Sequence, residues 1–151
     1  MEKPILDFES FELPFFNEVK DKLNQNSSED DFEEEEDNDI VKENMESKIP
    51  KSAIYLGAAV TEVEHMTSAW MTRDDYYIYP LQNDAYNWAV FRISWDDNWG
   101  RWYWSPDGRL KGLEANYKEA ARLLLYEIWK IWGIDLNDPE NKSYVNILEQ
   151  I

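Results

Sequence analysis

The chain has no cysteine, which excludes disulfides, thiolate nucleophiles and cysteine-ligated zinc together. A single histidine, His65, removes zinc sites of the two-histidine kind, and five glycines leave little room for a loop that cradles phosphates. Lysine and arginine are scarce, 15 against 32 acids, for a net charge of -17 over 151 residues. Without a basic patch the chain cannot grip a phosphate backbone, so direct nucleic-acid binding is not expected, and anionic membrane surfaces would repel it. No apolar run is long enough to span a bilayer, and the first nine residues lack the basic and then apolar pattern of a signal peptide. The expected location is therefore cytoplasmic.

What is present is unevenly spread. The first fifty residues hold 17 acids against 5 lysines, and the remainder 15 acids against 10 bases. Between Glu29 and Asp39 nine of eleven positions are acidic, Glu33, Glu34, Glu35 and Glu36 in unbroken succession. Like charges at that density repel and leave nothing to bury, so a disordered arm is expected over 1–48, ahead of a compact domain over 49–151. The acidic run lacks the ligand spacing of an EF-hand loop, which argues against specific calcium binding. Near the start, Phe8, Phe11, Phe15 and Phe16 sit among acids, and a short amphipathic helix is plausible over 14–24. Either this segment orders on a partner or it packs back on its own domain, and the partner is slightly favoured.

The stretch 87–133 organises the domain. If Asp96 pairs with Arg101 across a four-residue loop, Trp95 faces Trp102 and Ile93 faces Trp104. Phe91, Ile93, Trp95, Trp102 and Trp104 then share one face, while Arg92, Ser94, Tyr103 and Ser105 share the other with Trp88 and Val90. A turn is expected at Pro106-Asp107-Gly108. Asn116 can cap a helix that carries Leu124, Leu125 and Ile128 at helical spacing and stops at Gly133. That helix is expected to cover the tryptophan face, making the cluster core first and binding surface second.

Elsewhere, Leu56, Ala59, Val60, Val63, Met66 and Trp70 recur at spacings of three and four and predict a helix over 52–70. Gly57 and the β-branched pair Val60-Thr61 keep a strand in play. Arg73-Asp74-Asp75 reads as a polar break, and Tyr76-Tyr77-Ile78-Tyr79 as a strand that ends at Pro80. Asp138 and Pro139 open a last helix. The expected fold is α+β: a three-stranded antiparallel meander (about 76–80, 87–95 and 101–105) covered by helices about 52–70, 117–132 and 139–150.

Chemistry is thin. On a helix Glu62 and His65 would share a face as an acid/base or weak metal pair, but no partner residues complete a site. No catalytic residue, metal or cofactor is assigned. Aromatic rings at Trp88, Trp99 and Tyr103, beside acids, suit a protein partner with basic side chains. The expectation is thus a non-enzymatic regulatory or inhibitory protein that meets a partner's basic surface, with nucleic-acid mimicry its most specific form. The binding residues would be Phe8, Phe11, Phe15, Phe16, the four glutamates 33–36, Trp88, Trp99 and Tyr103. Divalent-cation or small-ligand binding is the alternative, a small hydrolase the weaker one, and the oligomeric state is left open.

Overall fold

The pairing proposed for the central hairpin is the one observed in a computed structural model of the chain: Asp96 opposite Arg101, Trp95 opposite Trp102, Ile93 opposite Trp104. The structure describes residues 4–9, 11, 13, 42, 46–65, 68–81, 86–96, 101–112 and 116–151, with backbone alone at 63–65, 68–70, 96 and 101. The proposed helix at 14–24, the acidic run and the hairpin tip with Trp99 lie outside these residues.

Five strands form one antiparallel sheet in the order β1-β5-β4-β3-β2: β1 Ile5–Asp7, β2 Ile54–His65, β3 Ser68–Pro80, β4 Trp88–Asp96 and β5 Arg101–Lys111. Helix α1 (Tyr117–Ile131) lies over β4 and β5, and α2 (Lys142–Gln150), entered through a short 3₁₀ turn at Pro139–Asn141, lies over β2. Both helices begin as their caps dictate. The Asn116 side chain accepts from the backbone of Lys118 and Glu119, and Asp138 accepts from Glu140 N ahead of α2. Gly133, at φ 75, turns the chain after α1.

Three expectations need correction. The segment 52–70 is no helix but holds β2 and the start of β3, so the meander has four strands (β2 to β5) and not three, and β1 makes the sheet five-stranded. A bulge, in which Leu56 is the extra residue between the Tyr55 and Gly57 rungs, sets Leu56 and Ala59 three apart on one face. Pro106-Asp107-Gly108 is likewise no turn. It is a second bulge inside β5, where Phe91 faces Pro106 and Val90 faces Gly108, leaving Asp107 as the extra residue.

The third correction concerns which face the helices cover. They pack on the side of Trp88 and Val90, where Leu56, Ala59, Tyr76, Ile78 and Leu110 complete the apolar floor under Leu124, Leu125, Ile128 and Trp129. The Phe91, Ile93 and Trp102 side is closed instead by Phe11 and Leu13, with Ile49 and Ala53 beside them. β2, which went unread in the sequence, supplies the reason: it adds Leu56 and Ala59 to the Trp88 side, beside Tyr76 and Ile78 of β3, and makes it the larger core. Tyr77 stacks on Phe91 at 5.2 Å between ring centres on the other side. Ile5–Asp7 adds a fifth strand against β5, and the Arg109 guanidinium ties it down through an ion pair to Asp7.

Gly57 has φ 130, and a Cβ there would stand 3.1 Å from Ile147 Cγ1 of α2. Gly57→Ala is accordingly expected to lose roughly 1–3 kcal/mol of unfolding free energy in urea titration. Asn116→Ala should lose about 1 kcal/mol by the same measurement, through its two unsatisfied amides.

Candidate functional site

Neighbouring residues in a strand point to opposite faces, so Asp74 and Asp75 leave β3 in opposite directions. Both are buried. On the outer side Asp75 accepts the Tyr55 hydroxyl at 2.8 Å and lies 3.2 Å from Arg73 and 3.3 Å from Lys42. On the helix side Asp74 Oδ1 takes Ser94 Oγ and the Arg92 guanidinium, the latter at 3.3 Å. Arg92 also reaches Asp107 through Nε at 3.1 Å, and Ser105 donates to the same Asp107 oxygen at 3.1 Å.

One guanidinium thus serves two carboxylates, leaving a net negative group inside the molecule. Burial works against the Arg92 charge, but Asp107 and Asp74 outweigh it and hold the guanidinium firmly protonated. For Asp107 the balance falls the other way. Burial outweighs the help of Arg92 and Ser105 and raises its carboxyl to about 6, and its second oxygen has no hydrogen-bond partner among the described residues.

Above this group opens a cleft of about 290 Å³. Thr72 and Asp74 come from β3, Arg92 and Trp95 from β4, Tyr103 from β5, Trp132 from the end of α1 and Tyr144 from α2. The Arg92 guanidinium lies 4.5 Å from the centre of the Trp132 ring. Trp132 is 41% and Tyr103 37% exposed, so two walls of the cleft face solvent while its floor is charged and buried. Burial also raises the Tyr144 hydroxyl, with Asp74 adding to it, so this phenol stays neutral. The rings of Tyr103, Trp132 and Tyr144 beside a carboxylate offer a cation both a counter-charge and electron-rich faces.

Of the residues proposed from sequence, Tyr103 alone lines this cleft. Trp88 is buried beneath α1, 6.4 Å from the Tyr117 ring. Phe8 is partly buried against the helix-side core, and Phe11 is buried with the Arg109 guanidinium 4.8 Å above its ring. Phe15, Phe16, Trp99 and Glu33 to Glu36 lie outside the described residues. The Glu62 and His65 pair loses its helical spacing, because both positions lie in β2.

Asp74, Arg92, Asp107 and Trp132 were missed. The available signal was an arginine and two serines alternating with bulky apolar residues along the hairpin, which implies a buried counter-charge. Among the described residues no three potential metal-ligating side chains come together, and no helix is long and apolar enough to cross a membrane. Comparisons with protein families, curated proteins and solved structures find no match.

The raised Asp107 carboxyl has a consequence for stability. Between the unfolded value of 3.8 and the folded value of about 6 the native state holds the extra proton. The contribution of this group is therefore full below pH 4, falls as pH rises to 6, and is flat above. In thermal melts of wild type and Asp107→Asn, the wild-type advantage should decline across pH 4–6 and stay constant from pH 7 upward.

Proposed function

We propose that this chain is a non-enzymatic binding protein, regulatory or inhibitory toward a protein partner with a basic surface, and that the cleft receives a lysine or arginine side chain of that partner. The observation that carries the reading is the aromatic-walled cleft with the Asp74 carboxylate at its base, in a chain of net charge -17. Arg92 supports it by example: a guanidinium of the chain's own already lies on the Trp132 ring and reaches Asp74. A guest cation would use the remaining faces of Tyr103 and Tyr144 and the second oxygen of Asp74. Each cation–aromatic contact contributes about 0.5–2 kcal/mol, depending on how much water it excludes.

The acidic run at 29–39 has a separate role in this proposal. Its charge draws a basic partner toward the domain and raises the association rate, an effect that salt suppresses. The binding reading is preferred to a hydrolase because Glu62 and His65 sit at an odd spacing on a strand and because Asp107 does not line the cleft. It is preferred to specific calcium capture because the acidic run lacks the ligand spacing such a loop needs.

The test is a fluorescence titration of full-length protein with N-acetyl-arginine amide and N-acetyl-lysine amide, with the neutral N-acetyl-glutamine amide as control. The cationic probes are expected to saturate and to quench tryptophan emission. Trp132→Ala, Tyr103→Leu and Asp74→Asn should each weaken them about tenfold. Equal binding of the neutral probe, or indifference to all three substitutions, would overturn the reading. Because Ile5–Asp7 belongs to the sheet, the acidic run should be tested by replacing its acids with Asn and Gln, since truncation before residue 49 would also remove a strand.

A further inference from the structure

An antiparallel strand turns its backbone groups alternately toward one neighbour and away from it. For β2 the direction is set by Ser143 of α2, whose hydroxyl accepts from the Val60 N–H at 3.0 Å and donates to the Val60 carbonyl at 3.1 Å. Both groups therefore face away from β3, on the open edge of the sheet. The β2–β3 register runs without a shift from Gly57 to His65. Glu62 and Glu64, two and four residues beyond Val60, thus present their N–H and carbonyl groups outward in the same direction.

α2 closes the edge at Val60, and among the described residues no strand pairs with β2 on that side. A groove of about 490 Å³ opens there, with Val60, Glu62 and Met71 on the sheet side and Glu140 and Asn141 on the helical side. Met71 is 47% exposed and Val60 38%. Bare backbone edges of this kind are templates for another strand, and proteins guard them with charge. Here the guard is acidic. A second copy of this chain would set Glu62 against Glu62, and the acidic run at 29–39 would be repelled as well. A segment bearing lysine or arginine gains from both Glu62 and Glu140.

We propose that the β2 edge at Glu62 and Glu64 takes an extended segment of a partner as a sixth strand, and that this segment carries lysine or arginine at alternate positions with apolar residues between them. Main-chain hydrogen bonds supply the affinity, and Glu62 selects the charged side chains, whose alkyl stems cover Val60 and Met71 on the same face. The site uses none of the cleft residues and does not depend on the reading of the cleft.

The probe is a short synthetic peptide alternating lysine with valine or threonine, compared with its backbone N-methylated form, on the full chain. Titration calorimetry and amide hydrogen exchange are the readouts. Binding should slow exchange at the Glu62 and Glu64 amides. Glu62→Pro removes an outward donor without touching the ladder to β3, and should lower affinity about tenfold. Glu62→Gln keeps the donor and should lose only the charge contribution, a few-fold at most. No slowing at 62 and 64, or equal binding of the N-methylated peptide, would overturn the inference. If Asp74→Asn abolishes binding while Glu62→Pro does not, the cleft alone holds the peptide: the edge proposal then fails and the reading of the cleft survives. Loss with Glu62→Pro but not with Asp74→Asn supports the edge proposal whatever becomes of the cleft.

Discussion

Arg92 holds two carboxylates inside the molecule, and much of the architecture follows from that arrangement. An unpaired buried charge costs several kcal/mol, so Asp74 and Asp107 can enter the helix side of the sheet only with a guanidinium between them. Asp74 reaches that place because β3 pairs with β4 in unbroken register. Asp107 reaches it because a bulge in β5 inserts one residue opposite the Val90–Phe91 step. Slip either strand by one residue and a charge would be stranded. The polar cluster therefore pins the register from within, as the apolar alternation does along the rest of the sheet.

The same cluster explains why the helices leave one end of the sheet open. α1 covers Trp88, Val90, Tyr76 and Ile78, which are apolar, and stops where Arg92 and Asp74 begin. Trp132, just past the end of α1, lays its ring on the guanidinium in place of another turn of helix. The cleft is the space left between an apolar lid that has ended and a charged floor that the lid could not have covered without cost. On the reverse side Asp75 is satisfied by Tyr55, Arg73 and Lys42, and the aromatic rings beside it are closed by Phe11 and Leu13.

Several elements were legible because their signals are local. The hairpin register followed from opposed charges and alternating bulk over a dozen residues. The ends of α1 and α2 followed from Asn116, Gly133, Asp138 and Pro139, each of which acts on backbone within a turn of itself. β2 was not legible, because the bulge at Leu56 breaks strict alternation and puts Leu56 and Ala59 on one face at the spacing of a helix. The pair Asp74-Asp75 resembled a loop for a related reason: carboxylates in mid-strand make sense only once Arg92 and Lys42 are known to reach them from elsewhere in the chain and Arg73 from within β3.

By itself, the order of residues determined which segments alternate, where the helices are capped and how charge is divided between the first third and the rest. Those properties depend on neighbours a few positions away. The tertiary structure alone decided which face of the hairpin the helices cover, and hence that Arg92, Asp74 and Trp132 meet in a cleft while the tryptophan face closes against Phe11 and Leu13. The two faces of the hairpin are both partly apolar, and the choice between them rests on how much apolar area β2 and β3 add to each, which no local pattern in the chain records.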